Sequence, residues 1–268
     1  SKKDEADKEN DNLIKILEDS IKKLEDEKNN HKNKLVNTKQ SEAQPSLILV
    51  SGLLSSEYVW WHQASRLKEL ASINIASPKE NTPEKMIQTI LDKAPPLFAL
   101  AGHSMGGWVC LEIMRVAPDR VIKLCLLNTT ARGDSEEKRI KREEMILRAK
   151  QGHFNEISEE IASQFVYNPL LKEKVKKMFL EVGEEAFIHQ EEAMISRREC
   201  LSILPRINCP TLVIHAEKDK IFSLEEHKDL AANIPNAKLA VIEDSGHMSP
   251  LEMPQAVTTL LRCWLSWF

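Results

Sequence analysis

Glycine is scarce in this sequence, and its few glycines are unevenly placed. Only 8 of the 268 residues are glycine, less than half of the average near 7% in proteins. A chain this poor in glycine keeps it where the backbone turns sharply or approaches another segment closely. Five of the eight fall within the segments that carry the candidate site: Gly52, Gly102, Gly106, Gly107 and Gly246.

Long apolar runs and cysteine motifs are absent as well. No run approaches the roughly 18 residues of a membrane-spanning helix, and the polar N-terminus lacks the apolar core of a secretory signal. The five cysteines are scattered and form no C-x-x-C pair, so the sequence indicates neither a disulfide framework nor a structural zinc site. We therefore expect a cytoplasmic protein with reduced thiols and no membrane span.

Neither sign of charge predominates. The net charge of −4 and the isoelectric point near 6.1 argue against a nucleic-acid binder with a general basic field. The sequence has neither a P-loop nor a G-x-G-x-x-G fingerprint. We expect no cofactor and no bound metal.

The chain has the composition of a folded protein, with 42% hydrophobic and 29% charged residues, but residues 1–40 stand apart. They contain ten Lys, ten Asp or Glu and six Asn. Ile14, Leu17, Ile21 and Leu24 form an apolar helical stripe that fades after about two heptads. This pattern predicts a charged helical extension, with self-association or partner binding through it as an alternative.

From Leu47 onward, short apolar runs alternate with longer amphipathic stretches. This alternation predicts βαβ units and a parallel sheet whose strands are covered on both faces. The predicted strands are 47–50, 73–76, 97–102, 121–128, 211–216 and 238–244. The predicted helices between them lie near 56–71, 83–94, 105–117, 224–233 and 253–267. Residues 131–205 interrupt the alternation with helical periodicity, which predicts a helical insertion.

The clearest chemical signal is Gly-His-Ser-Met-Gly-Gly, which begins at Gly102. It follows a predicted strand and opens an apolar helix, the context of a G-x-S-x-G nucleophile elbow. A reversal this tight exposes the Ser104 hydroxyl and leaves room only for glycine at Gly102 and Gly106. Ser104 is therefore the predicted nucleophile.

A serine nucleophile needs a general base, and eight histidines are available. His247 follows the last predicted strand on a loop with Gly246, where ligand-contacting groups collect. The other seven lie in the polar tail, in helical stretches, within a strand or beside the elbow: His31, His62, His103, His153, His189, His215 and His227. His247 is the predicted base.

The acid that orients the base should follow the preceding strand. Asp219 is our choice there and Glu217 is the reserve. The alternative acid position, after the strand ending at Leu127, holds Asn128. The chain order Ser, Asp, His then matches the α/β-hydrolase arrangement.

An oxyanion hole needs two backbone N–H groups aimed at the reacting oxygen. Met105, directly after the predicted nucleophile, supplies one. Gly52 allows a close backbone approach after the first strand, so the N–H of Leu53 is the predicted second donor.

These motifs together resemble the α/β-hydrolase superfamily, in particular pimeloyl-ester carboxylesterases, lactonases and related small-acyl hydrolases. The resemblance covers residues 47–268 and rests on Val-Ser-Gly-Leu-Leu with Trp60 downstream, Gly-His-Ser-Met-Gly-Gly, Ala-Glu-Lys-Asp, and Gly-His-Met with Leu-Glu-Met-Pro behind it. It implies a core of residues 47–130 and 206–268 and a helical cap of residues 131–205 that builds the acyl pocket.

Three features depart from this family. Ser51-Gly52 stands where His-Gly is usual, and the glycine-rich loop after the second strand is replaced by Ala-Ser-Pro-Lys-Glu-Asn. The family's first two strands should precede Leu47, but residues 1–40 have no strand pattern. We therefore expect a reduced, mostly parallel sheet of about six strands and a more open site mouth.

The leading functional hypothesis is a serine hydrolase that cleaves a small carboxylic ester or thioester, with a small-molecule acyl substrate as its partner. The elbow does not distinguish this activity from a lyase, a C–C hydrolase or an acyltransferase. A binding protein without catalysis is a third possibility on this fold.

Overall fold

The computed structural model describes residues 44–267, together with Lys22. The chain divides into two compact units, residues 1–44 and 45–268, and the second contains the fold described here. Apart from Lys22, the predicted helix of residues 1–40 lies outside the described residues.

The centre of the second unit is a six-stranded, all-parallel sheet with the strand order β2-β1-β3-β4-β5-β6. All six predicted strands are confirmed, and no described strand runs antiparallel. The strands are β1 (Ser46–Val50), β2 (Ser72–Ala76), β3 (Phe98–His103), β4 (Val121–Leu127), β5 (Thr211–Ala216) and β6 (Ala237–Ile242).

Helices cover both faces of this sheet, and the five predicted between strands are confirmed. In chain order the α-helices within residues 44–267 are α1 (Trp61–Leu67), α2 (Pro83–Lys93), α3 (Met105–Val116), α4 (Glu136–Lys150), α5 (Phe154–Phe165), α6 (Lys172–Val182), α7 (Glu184–Ile195), α8 (Leu224–Asn233), α9 (Ser249–Glu252) and α10 (Pro254–Trp267). Helices α4 to α7 fall within residues 131–205, where the sequence predicts a helical insertion. Every helix in the described part of the chain is too short or too polar to cross a bilayer.

The strands alternate their side chains between two apolar cores. Leu47 and Leu49 belong to the core shared with α1, α5 and α10, whereas Ile48 and Val50 belong to the core shared with α2 and α3. The interior strands β3 and β5 are buried at every residue. This two-sided burial explains why their sequences are almost continuously apolar.

The register brings the carboxyl ends of the strands to one edge of the sheet. His103 at the end of β3 pairs with Leu127 of β4, and Ala216 of β5 pairs with Ile242 of β6. The residues that follow β3, β5 and β6 therefore meet at this edge, as expected for a parallel sheet.

Candidate active site

Ser104 lies at the sharp turn between β3 and α3. Its backbone has φ of +56° and ψ of −121°, a conformation that a non-glycine residue rarely adopts. A Cβ atom added to Gly102 would collide with the carbonyl of Gly106, and one added to Gly106 would collide with the carbonyl of Val50. The backbone around the turn is packed so closely that both positions require glycine.

His247 reaches Ser104 from the loop between β6 and α9. Its Nε2 lies 2.8 Å from Ser104 Oγ, in position to accept the hydroxyl proton, and its side chain is fully buried. The rings of Phe165 and Phe222 pack against the imidazole, with centroids 4.5 and 5.7 Å away. These apolar neighbours hold the ring and shield it from solvent.

Asp219 follows β5 and accepts a hydrogen bond from His247 Nδ1 to its Oδ2 at 3.0 Å. Its Oδ1 accepts from the backbone N–H groups of Ile221 and Phe222 at 2.8 and 3.3 Å. Burial by itself would raise the pKa of this carboxyl, but His247 and the two N–H donors outweigh it and hold the pKa of Asp219 well below its usual range. Asp219 is therefore ionised at neutral pH.

Glu217, the reserve choice for the acid, points elsewhere. Its side chain is 45% exposed, and its Oε2 accepts from the backbone N–H of Asp244 at 3.3 Å. The structure thus brings Asp219, and not Glu217, to His247.

The loop after β1 lies directly against the elbow. A Cβ atom on Gly52 would lie 3.0 Å from Ser104 Cβ and 3.5 Å from the backbone nitrogen of Met105. Leu53, Ser104 and Met105 line one cavity. The residues of the two predicted oxyanion donors therefore line the same cavity as Ser104.

Gln190 of α7 supports this loop, and the sequence analysis missed it. Its Oε1 accepts from the backbone N–H of Leu54 at 2.9 Å, and its Nε2 donates to the carbonyl of Pro78 at 2.8 Å. Leu54 has φ of +54°, so an unfavourable backbone conformation lies next to the predicted donor Leu53. A single buried amide thus joins the loop after β1 to the loop after β2. No local sequence pattern marks it, because its partners are 136 and 112 residues away.

The loops after β1 and β2 also meet through serines. Ser77 Oγ donates to Ser51 Oγ at 3.2 Å, and Ser51 Oγ donates in turn to the carbonyl of Ser56 at 3.4 Å. Ser51 occupies the position at which the α/β-hydrolases that this sequence resembles usually have a histidine. Ser77 lies in the segment that replaces their glycine-rich loop after the second strand.

Asn128 and Ser249 support the Asp219 carboxylate through two successive hydrogen bonds. Asn128 Nδ2 donates to Asp219 Oδ2 at 3.1 Å, and its Oδ1 accepts from Ser249 Oγ at 2.6 Å. Asn128 has φ of +47°, a conformation that asparagine tolerates better than most residues. The sequence shows only that this alternative acid position lacks an acid.

Two further histidines are buried and uncharged near the site. His103 Nε2 donates to the carbonyl of His247 at 2.6 Å, and burial, helped by the neighbouring His247, lowers the pKa of His103 to about 3. His227 of α8 donates from Nδ1 to the carbonyl of Ser223 and accepts at Nε2 from the N–H of Thr129. Burial lowers the pKa of His227 to about 4. Both act as neutral hydrogen-bonding groups.

Glu252, in the Leu-Glu-Met-Pro motif, ties the His247 loop to the end of α5. Its Oε1 accepts from the N–H groups of Tyr167 and Asn168 at 2.5 and 2.9 Å, and its Oε2 accepts from Met248 at 3.2 Å. Burial raises the pKa of Glu252 although these donors oppose the shift.

The cavity above Ser104 has a volume of about 200 Å³. Residues from α4, α5 and α7 contribute to its lining. Its lining is Leu53, Ser104, Met105, Lys138, Lys141, Arg142, Met145, Ile161, Gln164, Phe165, Glu191, Met194, Ile221 and Phe222. A larger cavity of about 480 Å³ lies beside β2 and α2 and contains none of the predicted site residues. Of the two cavities, the smaller one is lined by the predicted site residues Leu53, Ser104 and Met105.

Comparison with known proteins identifies hydrolases. The model of the alpha/beta hydrolase family matches residues 61–260. The (E)-2-((N-methylformamido)methylene)succinate hydrolase of Acinetobacter baylyi is 25% identical over 247 residues, which cover 84% of this chain and 92% of that protein.

Solved structures agree with this match. A thermophilic esterase from Thermogutta terrifontis, with malate bound, has a TM-score of 0.75 and 28% identity over 84% of this chain and 91% of its own. The enol-lactonase from Burkholderia xenovorans has a TM-score of 0.74 and 19% identity over 84% and 92% of the two chains. At that identity the lactonase demonstrates a shared fold.

Proposed function

The chain belongs to the alpha/beta hydrolase family, and from that premise we propose that it is a serine hydrolase that cleaves a small carboxylic ester or thioester through an acyl-enzyme. The observation that carries the proposal is the unbroken hydrogen-bonded series Ser104–His247–Asp219, with distances of 2.8 and 3.0 Å. These distances lie within the reach needed for proton transfer from a serine to a base and for orientation of that base.

In the first half-reaction, Ser104 Oγ attacks the carbonyl carbon while His247 Nε2 takes its proton. Asp219 accepts the Nδ1–H of the same ring, which keeps Nε2 free to act as base and stabilises the imidazolium that forms. His247 then gives its proton to the departing alcohol or thiol, and the acyl group remains on Ser104.

Negative charge develops on the carbonyl oxygen in this step. The backbone N–H groups of Leu53 and Met105 are the proposed donors to it. Met105 is also the first residue of α3, whose N-terminus favours negative charge. Gln190 holds the neighbouring Leu54 N–H and so positions the Leu53 donor indirectly.

In the second half-reaction, a water molecule attacks the acyl carbon while His247 takes its proton. Ser104 Oγ then leaves with that proton, and the carboxylic acid is released. A cavity of about 200 Å³ suits a small acyl group. Two of the related proteins are named as a hydrolase of a substituted succinate and as an esterase. These names support attack at a carbonyl carbon without selecting one substrate.

A fluorophosphonate probe tests the proposal directly, because it phosphonylates only an activated serine. We expect wild-type protein to be labelled at Ser104 and Ser104→Ala to remain unlabelled. Turnover of p-nitrophenyl acetate should fall by about four to six orders of magnitude in Ser104→Ala, with the unfolding temperature nearly unchanged. Equal turnover by the two proteins would contradict the mechanism. An unlabelled wild-type protein without turnover would favour the binding-protein alternative.

A further inference from the structure

The cavity above Ser104 has an excess of positive charge, in a chain whose net charge is −4. Four of its fourteen lining residues are ionisable. Three of them are cations, Lys138, Lys141 and Arg142, and one is an anion, Glu191. A concave site lined by one sign of charge attracts a ligand group of the other sign.

Two of these four charges are neutralised within the protein. Arg142 pairs with Glu191 at 3.1 Å and with Asp134 at 2.5 Å, and Arg197 pairs with Asp134 at 2.7 Å. Two guanidinium groups and two carboxylates therefore form a closed network. What remains at the cavity is the charge of Lys138 and Lys141.

Helix α4 presents these lysines on one face. Lys138, Lys141, Arg142 and Met145 follow the 3–4 spacing of a single helix face, and all four line the cavity. The glutamates of this helix are not among the lining residues. The helix thus places three of its six cations, and none of its four acidic residues, along the cavity.

Lys138 and Lys141 differ in their ion pairs with carboxylates of the protein. Lys141 Nζ lies 2.8 Å from Glu137, in a pair whose side chains are 66% and 78% exposed. Such an exposed pair is weak and exchanges easily for another partner. Within residues 44–267, no carboxylate lies at ion-pair distance from Lys138 Nζ. Both ammonium groups are therefore available to a ligand.

We infer that the substrate of this hydrolase carries a carboxylate at a distance from the reacting carbonyl, and that Lys138 and Lys141 bind it at the cavity mouth. The inference rests on the proposed function and adds a substrate class to it. Met145, Ile161 and Phe165 line the same cavity as the lysines and Ser104 and suit a short methylene spacer. Lys138 and Lys141 are then specificity-determining residues without a part in bond breaking.

Matched esters test this assignment. Monomethyl adipate and methyl hexanoate share a six-carbon acyl group and differ in one terminal carboxylate. We expect kcat/KM to favour monomethyl adipate by about three- to tenfold in 20 mM salt, the size of two partly exposed ion pairs. The preference should shrink in 500 mM salt, because exposed charges are screened.

The variants are Lys138→Gln, Lys141→Gln and the pair combined, with Lys150→Gln as control. Lys150 is exposed on the same helix but does not line the cavity. The double variant should lose the preference for monomethyl adipate while its kcat/KM for methyl hexanoate stays within about twofold. Lys150→Gln should behave as wild type. A wild-type preference for methyl hexanoate, or an equal loss on both esters, would overturn the inference.

Inhibition provides a second test, which applies even if methyl esters are cleaved too slowly to measure. Adipate should inhibit p-nitrophenyl acetate hydrolysis by wild type more strongly than 1,6-hexanediol does, and the double variant should lose this difference. Equal inhibition by the two compounds would also refute the carboxylate site. If p-nitrophenyl acetate is cleaved and Ser104 is labelled while no carboxylate preference exists, the hydrolase stands and the inference fails. If Ser104 is not labelled and p-nitrophenyl acetate is not cleaved, both the proposed function and the inference fail.

Discussion

Asn128 donates a hydrogen bond from Nδ2 to Oδ2 of Asp219 at 3.1 Å, the same oxygen that accepts from His247 Nδ1. Ser249 fixes the orientation of the amide, because its hydroxyl donates to Asn128 Oδ1. The carboxylate is therefore held from two sides while it orients the imidazole.

Replacing this donor with an acid tests its role. In Asn128→Asp a second carboxylate faces Asp219, which raises the pKa of the pair and removes a donor. Aspartate tolerates the positive φ of this position, so the fold should persist. We expect kcat/KM at pH 7 to fall by about ten- to a hundredfold, measured with p-nitrophenyl acetate. Asn233→Asp, an equal charge change at an exposed residue of α8, should leave it unchanged. Similar rates in the two variants would argue against the role.

Parallel substitutions of Asp219 and Glu217 test which carboxylate orients His247. Asp219→Asn should lower kcat by about four orders of magnitude, since the imidazole loses its orienting carboxylate. Glu217→Gln should have little effect, because Glu217 is half-exposed and bonds Asp244. Steady-state kinetics of both variants decide the assignment. A larger loss in Glu217→Gln would transfer the role to that residue.

Gln190 is predicted to act on catalysis through the loop that carries Leu53. Gln190→Met keeps the size of the side chain but leaves the N–H of Leu54 without its acceptor. We expect kcat to fall by about ten- to a hundredfold with little change in KM, since a misplaced oxyanion donor affects mainly the transition state. The exposed Gln88→Met on α2 serves as control. A loss of thermal stability with kcat retained would reduce Gln190 to a structural role.

The buried histidines predict a loss of stability in mild acid. The pKa values of His103 and His227 are lowered to about 3 and about 4 in the folded protein, whereas both are near 6.5 in the unfolded chain. Between those values the unfolded state binds more protons, so the free energy of unfolding decreases as pH falls. Each histidine contributes a slope approaching about 1.4 kcal/mol per pH unit.

Urea unfolding between pH 7 and 5 measures this slope. His227→Gln removes one titrating group while its amide oxygen can still accept from Thr129, so the slope should become shallower. His153→Gln, the same replacement at an exposed site, is the matched control. The same slope in His227→Gln and in wild type would show that His227 is not held neutral by the fold.

Local patterns were enough to predict most of the fold. The six strands follow from short apolar runs. Two-sided burial explains this composition in β3 and β5, whereas the edge strands β2 and β6 are largely half-buried or exposed. The elbow around Ser104 follows from two glycines whose missing Cβ atoms leave room for neighbouring carbonyls. The positions of Asp219 and His247 after β5 and β6 follow from the rule that strand ends meet at one edge.

Only the tertiary structure decided which side chains meet. It separates Asp219 from Glu217, two residues apart on the same loop, by pointing one at His247 and the other at Asp244. It also joins Gln190 to Leu54 across 136 residues of sequence. Side-chain contacts of this kind depend on how helices from a distant part of the chain pack over the sheet edge. No hydrophobic period or turn motif encodes that packing, whereas strands and elbows depend on residues adjacent in the chain.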